Sequence, residues 1–315
     1  MRNREVADFL CVACGGGAGH IWRAQDGWRV VRCTGCGLLA TWPSPDNATL
    51  EEIYESDDYF DTRSMREPAV EPWIRRLRET LAALPPVARP ILDFGAGPGH
   101  LVNAARHLGV QMEGVEPSRR ARDLARELYG IELRPSLPRP GELAIGAVTA
   151  LHVLEHVRDP VGDLRRLRSL AAPGGVIFIE VPHAGAVDMR VPSRRRLILD
   201  LPAHLHHFTP QTLNEVVTRA GWNVLDVRLF NSSYVEALLA LRSARTHHEI
   251  EPSSAARAGE SRPEGLLGSW PRTLWRRLLA RGRSAFPGPM FQLIAARTEV
   301  NALEPVPRSR ENAGN

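Results

Sequence analysis

The stretch LDFGAGPGHL, residues 92–101, contains the feature that decides the fold. An apolar run leads into it, glycines stand at alternate positions (Gly95, Gly97 and Gly99), and a helical pattern follows. Glycine lets a backbone turn with positive φ and approach a ligand closely. A glycine-rich turn between a strand and a helix is typical of a loop that binds phosphate or an adenosine-containing cofactor. The stretch therefore predicts the cofactor loop of an α/β fold.

Strands and helices alternate from residue 89 onward. The predicted strands are PILDFG, VQMEGVEP, GAVTALHVLEH, GVIFIEVPH, WNVLDVRLF and FQLIAARTEV. Helices with recognisable ends separate them: one runs from Ser118 to Gly130, and another begins at Asp159 with Pro160 in its first turn. Such alternation predicts a mainly parallel, doubly wound sheet.

Two acidic residues narrow the choice of cofactor. The dinucleotide fingerprint G-x-G-x-x-G requires a glycine where this chain has His100. Asp93, at the tip of the first strand, would be unfavourable beside a pyrophosphate but can face an ammonium group. Glu116, at the end of the second strand, can accept both hydroxyl groups of a ribose. An ammonium group, a ribose and a close glycine backbone together indicate S-adenosylmethionine (SAM).

Five sequence blocks over roughly residues 88–230 carry a family resemblance. ILDFGAGPGHLV, GVEPS, ALHVLEHVRDP, LAAPGGVIFIEVP and HLHHFTPQTL resemble, in this order, the successive motifs of class I SAM-dependent methyltransferases. The resemblance implies an α/β fold with a seven-stranded Rossmann-like sheet. It also implies a set of cofactor-binding residues: Asp93, Gly95, Ala96, Gly97, Gly99, Glu116, Pro117 and Leu151. The third-strand block, IELRPSLPRPGELAIG, departs from the family pattern because it is short and rich in proline.

All four cysteines lie in the first 36 residues, in two Cys-x2-Cys pairs separated by 18 residues. They are Cys11, Cys14, Cys33 and Cys36. This spacing predicts a four-thiolate Zn²⁺ site, which is structural because it leaves no open coordination position. The alternating stretch between the pairs, with Asp26-Gly27 at its centre, predicts a hairpin. WRVVRCTGCGLLATWPSPD followed by IYESDDYF is similar to the zinc-ribbon leader of many bacterial small-molecule and sugar methyltransferases.

Three histidines are candidates for the chemistry, because a methyl acceptor usually has to lose a proton and histidine titrates near neutral pH. AHLHHFT resembles the family's His-x-x-His-Phe-Ser/Thr pattern. His204 matches a histidine that helps deprotonate the substrate in similar sugar C-methyltransferases, but Ala203 stands where those enzymes have a glutamate. The predicted catalytic residues are His204, His207 and His152, with His204 first and His152 next. The alternative is that the loop histidines are structural.

LHVLEHV resembles the Glu-x-x-Glu-His motif of ubiquinone-pathway O-methyltransferases, which is associated with a divalent cation. His152 replaces the first glutamate, and this disfavours an oxygen-preferring cation such as Mg²⁺. The alternative, which we favour, is that Glu155 and His156 cap and pack the following helix.

The chain divides into four predicted segments. They are a zinc ribbon (1–45), a helical linker (46–87), a SAM-dependent methyltransferase domain (88–300) and a tail (301–315). Within the domain, residues 231–290 are predicted to be an insertion, partly disordered, with an amphipathic helix. For the helix at 266–286 we favour packing on the domain, with peripheral membrane contact as the alternative.

The composition is that of an ordinary globular protein, and its formal net charge of +4 does not indicate a nucleic-acid partner. Neither a signal peptide nor a membrane span is apparent, so a cytoplasmic location is expected. The predicted function is methyl transfer from SAM to an oxygen or carbon atom of a small molecule: a saccharide, a nucleotide sugar or a natural-product intermediate. An RNA methyltransferase and a non-catalytic SAM-binding module are the alternatives.

Overall fold

The computed structural model describes residues 5–6, 8–56, 70–84, 90–190, 192–230 and 290–297. These residues form two sheets with helices around them. The predicted amphipathic helix at 266–286 and the predicted tail lie outside the described residues, as does nearly all of the predicted insertion. Within the described part of the chain, no helix combines the length and hydropathy needed to cross a membrane.

A six-stranded sheet forms the centre of the main domain, in the order β5-β4-β6-β7-β10-β9. Its strands are β4 (Ile91–Phe94), β5 (Met112–Val115), β6 (Ile145–Leu151), β7 (Ala171–Pro182), β9 (Asn223–Phe230) and β10 (Met290–Ala296). β4 pairs in parallel with β5 and β6, β6 pairs in parallel with β7, and β10 lies antiparallel between β7 and β9. The predicted doubly wound α/β class is confirmed.

The strand order reverses at β4, because β5 lies on one side of it and β6 on the other. In open α/β sheets ligands bind at such a reversal, beyond the carboxyl ends of the strands. Phe94 and Leu151 end these two neighbouring strands. The glycine loop and the segment that begins at His152 therefore leave the sheet at the same edge, and this edge is the expected ligand site.

The expected seventh strand is replaced by a single bridge among the described residues. Val115 makes an isolated parallel bridge to Arg134, beyond the outer strand β5. Pro135, Pro138 and Pro140 follow directly. Proline lacks the N–H that a ladder requires, so the pairing cannot extend along this segment. Among the described residues the main sheet therefore has six strands and one further bridge.

Two helices begin at the predicted cap residues, although the second ends at Leu170, before the AAPGG segment that was predicted as part of it. Ser118 caps α4 and Gly130 ends it in the left-handed conformation, while Asp159 caps α5 with Pro160 in its first turn. The helices are α1 (Asn47–Glu55), α2 (Val70–Ala83), α3 (His100–His107), α4 (Arg119–Tyr129), α5 (Pro160–Leu170), α6 (Pro192–Leu199) and α7 (Pro210–Arg219). A short 3₁₀ helix (Val187–Arg190) precedes α6.

A second, four-stranded sheet joins the N-terminal region to the main domain. Its order is β1-β2-β3-β8, with β1 (Gly19–Gln25), β2 (Trp28–Cys33), β3 (Leu39–Trp42) and β8 (His206–His207). β1 and β2 form the predicted hairpin around Asp26-Gly27. β8 belongs to the loop after β7, and it pairs antiparallel with β3. The loop that carries His204 is thus held by a strand of the N-terminal region.

Candidate active site

The glycine loop makes a tight turn at the end of β4. Gly95, Gly97 and Gly99 all have positive φ, and the amides of Gly95 and Ala96 both donate to the carbonyl of Val115. A Cβ added at Gly95 would lie 2.5 Å from Val153, whereas one added at Gly97 would meet no heavy atom within 4 Å. The loop is therefore packed on its inner side and open at Gly97, where a ligand can approach the backbone.

Glu116 is buried at the end of β5, facing the glycine loop. Its Oε2 accepts from the amide of Gly97 at 2.8 Å, and its Oε1 accepts from the amide of Ser118 at 2.8 Å. Burial raises the pKa of the Glu116 carboxyl, and the two amide hydrogen bonds oppose this rise. Each carboxylate oxygen can accept more than one hydrogen bond, so the pair remains able to accept two ribose hydroxyls.

Asp93 is also buried, and its Oδ1 accepts from the hydroxyl of Thr149 on β6 at 2.6 Å. Burial raises the pKa of Asp93 to about 7; the Thr149 hydrogen bond opposes the rise and the charge of Glu116 adds to it. A carboxyl group with this pKa gains its charge easily when a cation arrives. The site can therefore receive an ammonium group.

His152 lies directly after β6 and is flanked by two buried carboxylates. Its Nδ1 is 3.4 Å from Oε1 of Glu155, and its Nε2 is 3.4 Å from Oε1 of Glu180. The side chain of His152 is 30% exposed, whereas each glutamate is 2% exposed. His152 also has a φ of 58°, unusual for a residue other than glycine, and its amide donates to the carbonyl of Glu180 at 2.8 Å. Strained backbone of this kind is concentrated at functional sites.

Glu155, His156 and His204 form a second cluster beside His152. Each offers one ligand atom, and these atoms lie within 4.8 Å of one another, so the set could hold a metal ion. Nδ1 of His204 lies 2.8 Å from the carbonyl oxygen of Ile198, which leaves its Nε2 free to accept. Burial and the neighbouring His204 lower the pKa of His156 to about 4, so His156 is neutral near pH 7.

His207 lies in β8, in the ladder with β3, and its ring centre is 6.4 Å from that of His204. Its Nε2 is 3.2 Å from the hydroxyl of Thr41, which also donates to the carbonyl of His204 at 2.5 Å. Burial lowers the pKa of His207 well below its ordinary value. The three predicted catalytic histidines therefore occupy different places: His152 at the edge of the sheet, His204 in the buried cluster and His207 in the ladder.

The four cysteine sulfurs converge in the N-terminal region. Sγ of Cys11 lies 3.5 Å from Sγ of Cys36, and Sγ of Cys14 lies 3.5 Å from Sγ of Cys33. A tetrahedral Zn²⁺ site with Zn–S bonds of about 2.3 Å has sulfurs about 3.8 Å apart. All four sulfurs lie within 4.8 Å of one another, and the arrangement therefore fits zinc.

Comparison with known proteins defines the family. A family model described as "Methyltransferase domain" matches residues 65–227, which is more than half of the chain. The chain belongs to this methyltransferase family. The ubiquinone biosynthesis O-methyltransferase of Ralstonia nicotianae is 26% identical over 162 residues, covering 47% of this chain and 67% of the relative. The corresponding Xanthomonas axonopodis pv. citri protein is 29% identical over 174 residues, covering 48% and 70%.

A solved structure shares the fold of this methyltransferase. It is a Haloferax volcanii methyltransferase in complex with the activator Trm112, and it is 13% identical with a TM-score of 0.50. The match covers 78% of this chain and 98% of the other. The cofactor of this methyltransferase is SAM, and the residues at the sheet edge fit it. The open backbone at Gly97, the Glu116 carboxylate and the Asp93 carboxyl are the kinds of group that a closely bound ligand, a ribose and an ammonium group require.

We expect the substitution Glu116→Ala to weaken SAM binding by about 10- to 150-fold, the scale of a hydrogen bond to a charged acceptor. The ribose would lose its acceptors, and the amides of Gly97 and Ser118 would lose theirs. Calorimetric titration with SAM measures the change. Glu127→Ala on the exposed side of α4 is the matched control and should bind SAM as the wild type does. Wild-type affinity in Glu116→Ala would contradict the assignment.

Asp93 should make the ligand-free protein less stable as the pH rises. Because its folded pKa of about 7 lies above the unfolded value, its protonated form favours the folded state at low pH. This contribution is lost as the pH rises through 7. Between pH 5 and pH 8, the free energy of unfolding measured with denaturant should fall by about 2–3 kcal/mol more in the wild type than in Asp93→Asn.

Asp8 is exposed, and the free energy of unfolding of Asp8→Asn should fall by as much as that of the wild type over the same pH range. The Asp93→Asn protein should also bind SAM poorly, since the charge that faces the ammonium is gone. Equal pH slopes in wild type and Asp93→Asn would contradict the raised pKa.

Several site residues were not found from the sequence. Thr149, Glu180 and Thr41 each contact a predicted site residue. Thr149 and Glu180 are single polar residues within the apolar strand runs IGAVTAL and VIFIEV. A polar side chain inside a buried strand requires a partner, and this signal could have identified both residues.

Proposed function

We propose that the protein transfers the methyl group of SAM to an oxygen atom of a small-molecule acceptor, with His152 taking the acceptor's proton. The observation that carries this proposal is the position of His152: beside the cofactor loop, partly exposed, and between two buried carboxylates. The bound cofactor supplies a methyl group that is electrophilic without further activation. The two curated relatives are named O-methyltransferases, which supports oxygen as the accepting atom.

The surroundings of His152 suit a residue that gains a positive charge. When its imidazole accepts a proton, Glu155 stabilises the resulting cation on one side, and Glu180, which also pairs with Arg76 and accepts from Gln292, adds to this on the other. Burial acts to raise the pKa of Glu155, but its contacts with His152 and His156 outweigh burial and lower it. Glu155 is therefore ionised and available to His152.

The other predicted histidines support this arrangement. The side chain of His204 is 9% exposed and that of His152 is 30% exposed, so His152 is the more accessible of the two, although its Nε2 is itself buried beside Glu180 and an acceptor must displace that contact. We propose that His204 and His156, which lie near Glu155 without a hydrogen bond to it, influence that carboxylate through their closeness and do not contact the acceptor. His207 acts further away, by fixing the segment that contains His204 to β3.

The proposed acceptor is a saccharide, a nucleotide sugar or a natural-product intermediate. We also propose a structural Zn²⁺ bound by the four cysteines in the ribbon of residues 1–45. A helical linker (46–87) and a methyltransferase domain (88–300) follow it. Support comes from the similarity of the ribbon to leaders of small-molecule methyltransferases and from the converging sulfurs.

Labelled methyl transfer tests the acceptor class. The protein is incubated with methyl-labelled SAM and either a small-molecule extract or an RNA preparation. We expect label in the small-molecule fraction, and no label above the level of a boiled control in RNA. Label in RNA alone would support an RNA methyltransferase, and no label in either fraction, with SAM bound, would indicate a binding module.

A further inference from the structure

Three arginines meet where the ribbon contacts helix α6. Trp22 in β1 packs on an apolar cluster that includes Met189 and Ile198, so the hairpin lies against α6 and the short helix before it. The guanidinium carbons of Arg23 and Arg32 lie 5.3 Å and 6.0 Å from the centre of the Trp22 ring. Arg23 and Arg32 reach this place from the ribbon, and Arg195 reaches it from α6.

One hydrogen-bond donor of Arg195, its Nε, has no acceptor in the described structure. Nη1 of the same side chain donates to the carbonyl of Met189 at 3.2 Å, whereas Nε is buried. Burial lowers the pKa of the Arg195 guanidinium, and the charge of Arg23 lowers it further. A buried donor without an acceptor is costly, and an outward movement of the Arg195 side chain that brought its Nε to a ligand oxygen would remove this cost.

The positive charge of this group has no counterion among the described residues. No described carboxylate lies within 4.0 Å of Arg23, Arg32 or Arg195. The next arginine behaves differently, since Arg196 pairs with Asp26 at 2.8 Å and fixes α6 to the hairpin turn. Three guanidinium groups around this contact, with no described carboxylate within 4.0 Å, offer the donors that an anion with several oxygens requires.

The site is linked to the candidate active site through α6. The carbonyl of Ile198, one turn after Arg195, is the partner of His204 Nδ1. The loop that carries the anion site therefore also carries the buried histidine next to Glu155.

We propose that Arg23, Arg32 and Arg195 bind a phosphate or diphosphate group of the methyl acceptor. This inference rests on the proposed function and narrows it to phosphate-bearing small molecules. Planar guanidinium groups bind phosphate oxygens in pairs, which suits a site that contains three arginines. The phosphate would anchor the acceptor, and the methyl-accepting oxygen would lie towards His152.

Calorimetric titration of the full-length protein with inorganic pyrophosphate tests the site without turnover. We expect saturable binding with one site per chain, weakened at least about tenfold by Arg23→Gln and by Arg195→Gln. Arg195→Lys should also bind more weakly, because lysine keeps the charge but lacks the fork. Arg126→Gln removes an exposed arginine on α4, which pairs with Glu132, and should leave binding unchanged. Each variant should bind SAM with wild-type affinity, which shows that it is folded.

Three outcomes would overturn the inference. They are no saturable binding of pyrophosphate to a protein that binds SAM, equal binding by Arg195→Gln and wild type, and equal weakening by Arg126→Gln. A short oligoribonucleotide that binds more tightly than pyrophosphate, and loses affinity in every arginine variant, would identify a general polyanion surface instead. Failure here leaves the proposed methyl transfer intact, because that depends on label reaching a small molecule and not on pyrophosphate.

Discussion

His152→Ala is expected to lower the single-turnover rate of methyl transfer by about 10²- to 10⁴-fold, the usual contribution of a general base. The acceptor hydroxyl would have no group to take its proton as the new bond forms. SAM affinity should remain close to wild type, because Asp93, Glu116 and the glycine loop are untouched. The rate is measured with the enzyme in excess over labelled SAM, so that product release does not contribute.

Matched variants distinguish the proposed base, His152, from Glu155 and His204, which are proposed to assist it. Glu155→Gln removes one carboxylate beside His152 but keeps the shape, and should slow turnover less than His152→Ala does. His204→Ala should lower the single-turnover rate by about tenfold or less, because His204 is proposed to act through Glu155. The exposed His107→Ala at the end of α3 should have no effect. If His152→Ala keeps the wild-type rate while His204→Ala loses it, His204 is the base and the assignment of His152 is wrong.

Removal of zinc is expected to have the second large effect. A structural zinc contributes about 10–16 kcal/mol in small metal-dependent domains, and the ribbon is too small to fold on its apolar core alone. Cys33→Ser should therefore lose the metal and disorder β1–β3. The pairing of β3 with β8 would be lost, including the contacts from Thr41 to the segment 204–207. A displacement of about 1 Å near a reacting centre can cost 10²-fold, so turnover should fall by about that factor.

The zinc prediction has three readouts. Elemental analysis should find about one zinc per wild-type chain and none in Cys33→Ser. Amide hydrogen exchange at residues 206–207 should become fast in the variant, while SAM affinity stays near wild type. Thr41→Val keeps the cysteines but removes one hydrogen bond to His204, and should slow turnover by a smaller factor. A folded wild-type protein with no metal and full activity would contradict the account.

Local features of this fold could be predicted from the sequence, because short-range chemistry decides them. The helix caps at Ser118 and Asp159 and the turn at Asp26-Gly27 are formed by residues a few positions apart. The cofactor loop is equally local, since its glycines alone require positive φ. Each of these was found where the pattern placed it.

Contacts between distant residues could not be predicted in the same way. Thr41 and His204 are 163 positions apart, and neither the ribbon pattern nor the histidine motif indicates that β3 and β8 pair. The sequence alone also gives no measure of the burial of each histidine, which depends on how α6 and the ribbon pack. The arginine group could not be predicted either, because Arg195 and its spatial neighbour Arg23 lie far apart in the sequence.

The most direct test is carbon NMR of the product formed from methyl-¹³C SAM with a small-molecule extract, in parallel for wild type and His152→Ala. We predict one labelled small molecule in the wild-type reaction, with the chemical shift of a methoxy carbon. At the same time point the variant should form at least about 100 times less of it. A labelled carbon-bound methyl group, labelled RNA without a labelled small molecule, or equal product from the variant would contradict the account.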